Sequence, residues 1–207
     1  MVSAQDVAKL RAKTDVGMME CKKALEACDG DFDKAVDWLR EKGIAKAAKK
    51  SDRIASNGRV GMYNHMSQGQ ICVMVEVNCE TDFVSKTDKF AELCNNIAMH
   101  IAATRPQYLT REDVPADVLA KEKEIAKAQA IEEGKPEAIA EKIVDGRIEK
   151  FYGEVCLMEQ TYVKNPDFKI IDLINDATMT IGEKIAIRRF VVYEVGEGME
   201  KRDWNAD

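Results

Sequence analysis

Nowhere in these 207 residues does an apolar run approach the roughly 20 residues that a bilayer-spanning helix needs. Histidine is nearly absent, with only His65 and His100, and there is no Cys-x-x-Cys pair. A zinc site therefore lacks its usual ligand spacing. There is no G-x-S-x-G elbow, and neither histidine has an acid and a nucleophile at a recognisable spacing. The glycine-rich "GEGME", Gly196 to Glu200, lacks the lysine and the following helix of a phosphate-binding loop. A chain with no nucleotide cradle, metal cluster or catalytic set reads as a binder and not an enzyme, with no metal or cofactor expected. The N-terminal "MVSAQDVAKLRAK" has neither the apolar core of a secretory signal nor the acid-free composition of a transit peptide, so the cytoplasm is the expected location.

What is present is the composition of an ordinary globular protein, 45% hydrophobic and 33% charged. The net charge of −6 argues against wholesale nucleic-acid binding. The first 58 residues are slightly basic, with 12 basic against 10 acidic side chains, and Lys42 to Arg53 reads as a basic linker. Its two readings are a solvated helix end and an RNA contact. Cys21 and Cys28, two helical turns apart, are too distant for a disulfide, and Cys72 and Cys79 fall on opposite faces of an extended segment. The six cysteines read as reduced, small apolar residues.

The first fifty residues predict three short helices. Ser3 caps the first, whose stripe is Val7 and Leu10; Met18, Cys21, Ala24, Leu25 and Cys28 mark the second. After the "DGD" turn, Phe32, Ala35, Val36 and Leu39 mark a third helix that ends near Gly43. From Gly58 the period shortens. "GRVGMYNHM", with His65 in the strand near the turn, and "ICVMVEVN" predict a hairpin around Ser67 to Gln70, with Ile71, Val73, Val75 and Val77 on one face. A helix from about Ser85 to Ala103 carries Phe90, Leu93, Ile97, Met99 and Ile101. Residues 115–155 predict a helical hairpin with Val118, Ile125 and Ile131 on one arm and Ile139, Ile143, Ile148, Phe151 and Val155 on the other. Gly134 and Pro136 of "EGKPE" divide the arms. "KIIDLINDA" is another helix, and Lys184 to Val195 a late strand that completes the sheet.

Three features are candidates for binding. Phe83, in "VEVNCETDFVSK", follows two acids and a threonine in what reads as an exposed turn. Its ring is either a core anchor at the start of the next helix or a group held out for a partner. Met18 and Met19 cannot both face a bundle core, so one of them is an exposed patch or a loosely packed edge. The helical hairpin is either a brace or a docking arm.

Taken in order, "KLRAKTDVGMMECKKALEACDGDFDKAVDWLREKG", "EVNCETDFVSK", "EGKPE" and "EVCLMEQTYVK" resemble the bacterial-type elongation factor Ts family, the exchange factors for the GTPase elongation factor Tu, and the likeness covers essentially the whole chain. The resemblance implies an α+β protein: an N-terminal three-helix, ubiquitin-associated-like docking domain at residues 1–52, then a core at 58–207. That core would hold a three-stranded antiparallel sheet, flanking helices and the antiparallel helical hairpin of about 115–155. It implies that Thr81, Asp82, Phe83 and Val84 disturb Mg²⁺ and phosphate binding in the GTPase, promoting GDP release. Met18, Met19, Cys21 and Lys22 would form the docking patch for GDP-bound or nucleotide-free elongation factor Tu. The family commonly has a proline and a phenylalanine where this chain has Thr161 and Tyr162, a change expected to keep the aromatic packing. The chain looks like the short form of the family, for which a homodimer built on the hairpin and sheet is expected. From the residues alone, a ubiquitin-associated-type adaptor or an RNA-contacting translation protein using Lys42 to Arg53 remain the rival readings.

Overall fold

In a computed structural model of the chain, residues 2–67, 69–132 and 137–199 are described. In chain order the elements are α1 (Ala4–Thr14), α2 (Met18–Ala27), α3 (Phe32–Ala48), β1 (Asn57–Asn64), β2 (Ile71–Cys79), the single turn α4 (Asp82–Ser85), α5 (Asp88–Thr104), α6 (Ala116–Glu132), α7 (Glu137–Val155), α8 (Ile170–Ile181) and β3 (Ala186–Glu194). The sheet is antiparallel with β2 in the centre. Two compact units are formed, one from residues 1–59, 77–91 and 171–188, the other from 60–76, 92–170 and the segment from 189 onward.

In the first unit, α1 and α3 start where side chains satisfy their orphan N–H groups. The Ser3 hydroxyl accepts from Asp6 N at 3.1 Å, and the Asp31 carboxylate from Lys34 N at 3.1 Å. Val7, Leu10, Val16, Cys21, Ala24, Leu25, Ala35 and Leu39 form the core of this bundle, with Met179 of α8 packed against it. The third helix does not end near Gly43. It continues to Ala48, because Gly43 keeps helical geometry and serves as a close-approach point: a Cβ there would lie 3.1 Å from Met179 Sδ.

The basic stretch is accordingly not a free linker. Lys42 lies over the Trp38 ring, 4.1 Å from its centroid. Lys42 and Lys46 pair with Glu20 at 3.3 and 3.6 Å, and Arg53 with Glu80 at 3.3 Å. Burial opposes ionisation of Glu20, but the Lys42 hydrogen bond, the Lys46 charge and Lys23 outweigh it and hold the carboxyl below its ordinary range.

In the second unit, Gly61 of β1 lies directly on α5; a Cβ would sit 2.5 Å from Cys94 O. Along β2 the buried residues are Val73 and Val75 in this unit and Val77 and Cys79 in the first, the period-2 face expected of a half-covered strand. The expected strand at His65 is instead a 3₁₀ turn, His65–Ser67, with Met66 at φ 52°; Gln68 lies outside the described residues. Gly134 and Pro136 lie outside them too. The hairpin arms α6 and α7 pack on each other, but the α6 seam is Ala126 and Ala130, while Ile125 and Ile131 are exposed. Small side chains there let the two backbones approach. Tyr162 is buried, with its ring 6.0 Å from that of His100, so the aromatic packing expected at this departure from the family pattern is in place.

His100 is a buried packing residue. Its Nδ1 accepts from Val163 N at 3.3 Å, which leaves Nε2–H to donate to Gln160 Oε1 at 3.0 Å. Among the described residues no helix is long and apolar enough to cross a membrane.

Candidate functional site

The helix expected from about Ser85 is broken in two. Thr81, extended at φ −124° and ψ 156°, caps α4, and the hydroxyl of Thr87 accepts from Phe90 N at 3.3 Å to start α5 afresh. Phe83 therefore sits on an isolated four-residue turn, and it is 81% exposed. Phe90, seven residues on, is the buried anchor of this region at 0%. That division of labour excludes the core-anchor reading of the Phe83 ring, since a core anchor would be covered.

The turn is small but heavily tied. Ser85 Oγ donates to Asp82 O at 2.9 Å and Thr87 Oγ1 to Val84 O at 2.8 Å. The Lys86 ammonium bonds Asp82 Oδ2 at 2.6 Å and holds that exposed carboxyl below its ordinary range. Cys79 closes the turn from beneath, its thiol donating to Thr81 O at 3.1 Å. Burial, followed by the charge of Glu183, pushes this thiol up, so it stays protonated and inert.

Sequence reading missed the residues that fix the base of the turn. Glu183 Oε2 accepts from Glu80 N and Thr81 N, both at 3.0 Å, and Oε1 accepts from the Thr81 hydroxyl at 2.6 Å. Reciprocally, Glu80 Oε1 accepts from Lys184 N at 2.6 Å, and Asn57 Nδ2 donates to Glu80 O at 2.9 Å. No local pattern brings residue 183 to residue 81. The one signal was Gly182, whose φ of +87° turns the chain back after α8.

The second candidate patch belongs to the same unit. Gly17 caps α2 through its carbonyl alone, which accepts from Glu20 N and Cys21 N. Both methionines at the helix start are exposed, Met18 at 43% and Met19 at 66%. Lys22 is also exposed and pairs with Glu26 at 3.7 Å. Cys21 corrects the expectation. It is 0% exposed, with its thiol bonded to Val16 O at 3.4 Å, so it supports the patch from inside the bundle and offers no contact surface. Its position one turn after Met18, on the stripe shared with Ala24 and Leu25, places it inward. The α1–α2 turn is further held by the ion pair of Asp15 with Lys89.

Among the described residues no group of three His, Cys, Asp or Glu side chains could hold a metal ion. What the site presents is an exposed aromatic on a turn tied down at its base, and two exposed methionines at the start of α2.

The family model for elongation factor Ts matches residues 3–197. The elongation factor Ts of Moorella thermoacetica is 56% identical over 199 residues, covering 96% of this chain and 98% of the relative. That of Heliobacterium modesticaldum is 56% identical over 202 residues, covering 98% and 94%. That of Carboxydothermus hydrogenoformans is 54% identical over 203 residues, covering 98% and 93%. The chain belongs to the elongation factor Ts family, the non-enzymatic factors of translation elongation that exchange guanine nucleotide on elongation factor Tu.

Proposed function

We propose that the chain performs exchange by docking elongation factor Tu–GDP through Met18, Met19 and Lys22 and by inserting the Asp82–Phe83 turn beside the nucleotide. The observation that carries this reading is a phenylalanine left 81% exposed on a turn that is otherwise fully tied down. An aromatic ring is large and stiff, so little freedom is lost when it enters an apolar slot on a partner. Thr81 and Val84 flank it, the first as cap and the second as a half-buried support.

The ring displaces elements of the GTPase that support Mg²⁺ and the phosphate loop. Mg²⁺ bridges negative phosphate oxygens, and loosening it removes much of the electrostatic hold on GDP. The factor and GDP–Mg²⁺ favour different arrangements of the same loops, so each weakens the other by the same coupling free energy. The nucleotide-free complex is then open to GTP. The three-helix bundle, of ubiquitin-associated type, supplies affinity, and the protein works in the cytoplasm.

The open face of the sheet in the second unit, with Met62, Met74, Val191 and Tyr193 exposed and the Arg189–Glu76 ion pair at 2.7 Å, suits a second copy of the chain. A homodimer is the proposed assembly, and a strictly monomeric mass in solution overturns it. The RNA reading loses ground because Lys42, Lys46 and Arg53 already have acidic partners.

The mechanism is tested by release of a fluorescent GDP analogue from elongation factor Tu with and without excess Mg²⁺. Acceleration by the chain should shrink when Mg²⁺ is chelated, because the step it promotes has already occurred. Equal acceleration in both conditions overturns the Mg²⁺ route.

A further inference from the structure

The Phe83 ring is exposed, so packing within the folded chain does little to fix its direction, and a four-residue helical turn is too short to be stable by itself. Whatever aims the ring must act at the base of α4. That base is clamped by an exchange of carboxylates: Glu183 takes the two N–H groups and the hydroxyl of residues 80 and 81, while Glu80 takes the N–H of Lys184. The clamp fixes Thr81 in the extended conformation of a helix cap, and the next two residues, Asp82 and Phe83, inherit their direction from it.

We propose that Glu183 is a positioning residue for nucleotide exchange, holding the Thr81 cap so that Phe83 is presented in the one orientation that enters the GTPase. This rests on the reading of Phe83 given above and adds a residue outside every motif that suggested it. Glu183 itself is only half exposed, and both of its oxygens are already engaged. It acts through the turn and does not touch nucleotide. If the unclamped turn holds the competent orientation about a tenth of the time, exchange slows about tenfold while the surfaces that meet the GTPase stay the same.

The experiment is stopped-flow release of a fluorescent GDP analogue from elongation factor Tu, across concentrations of the full chain, to separate maximal rate from half-saturating concentration. Glu183→Ala should lower the maximal rate about tenfold and change half-saturation less than about twofold. Glu183→Gln should recover most of the rate. Its amide oxygen can still accept from both N–H groups, and its Nε2 can donate to the Thr81 hydroxyl, which then turns from donor to acceptor. In the Phe83→Ala background, Glu183→Ala should cost nothing further.

Independent, multiplying effects of the two changes overturn the proposal, as does a loss confined to half-saturation. If Phe83→Ala alone leaves release unchanged, the wedge reading itself fails, a result distinct from either of those. Should Glu183→Ala not fold, Thr81→Val removes the hydroxyl arm of the clamp together with the cap to Val84 N, and leaves the two N–H arms in place. It must then show a smaller loss of maximal rate at constant half-saturation, and no loss at all refutes the proposal.

Discussion

Replacing Phe83 with alanine separates folding from exchange because the two costs differ in size. With the residue 81% exposed, the folded chain covers about a fifth of it. A phenylalanine presents about 200 Å², so folding buries about 40 Å², worth at most about 1 kcal/mol at ~25 cal/mol per Å². Covering the remaining ~160 Å² in a partner is worth about 4 kcal/mol, or a factor of about 10³. Phe83→Ala should therefore lower Tm by no more than about 4 °C while cutting accelerated GDP release by between ten- and a thousandfold. Circular-dichroism melts and stopped-flow release on the same preparation give both quantities. A destabilisation of about 3–5 kcal/mol, the cost of deleting a core phenylalanine, together with undiminished release would refute the reasoning.

Met18→Ser and Met19→Ser together should raise the half-saturating concentration in the release assay and leave the maximal rate within about twofold, because they act at docking; an unchanged half-saturation contradicts that role. Gly61→Ala should destabilise the chain by about 1–3 kcal/mol in urea titrations, since its Cβ would meet backbone at Cys94 and no flexible side chain can yield there. His100 gives a pH dependence whose sign is fixed. Burial pushes its imidazole below the ordinary value, while Gln160 acts weakly the other way, and the groups facing it are Gln160, Thr104, the Tyr162 ring and Val163 N. The unfolded chain then binds the proton more readily, so stability is level above about pH 6.5 and falls as pH drops below it. Urea midpoints at pH 7.5 and 5.5 should diverge for the wild type and not for His100→Gln; a wild-type midpoint unmoved by pH contradicts the assignment.

Elements with their own signals were legible in the sequence. Ser3 announced the first helix start, the "DGD" turn the boundary before the third helix, the alternation of β2 gave its buried face, and the order of the motifs gave the family. The misreadings have different causes. Gly43 looked like a stop because glycine ends many helices, yet it is the contact point for Met179. Cys21 looked like part of a patch and lies beneath it. For Gly43 the neighbour that decides its use, Met179, is distant in the chain; for Cys21 the deciding neighbours are local, the inward stripe of Ala24 and Leu25 and the carbonyl of Val16.

The same boundary divides the site. The sequence by itself determined that a Thr-Asp-Phe-Val turn exists and which family carries it, because capping chemistry and apolar periodicity act over three or four residues. Only the tertiary structure decided that Phe83 stands out in solvent while Phe90 is buried, and that Glu183 grips the backbone at Thr81 from more than a hundred residues away. A carboxylate between a glycine and a lysine carries no local mark of its partner. It is the return of α8 through Gly182 that brings its oxygens within 3.0 Å of two N–H groups just past the end of β2.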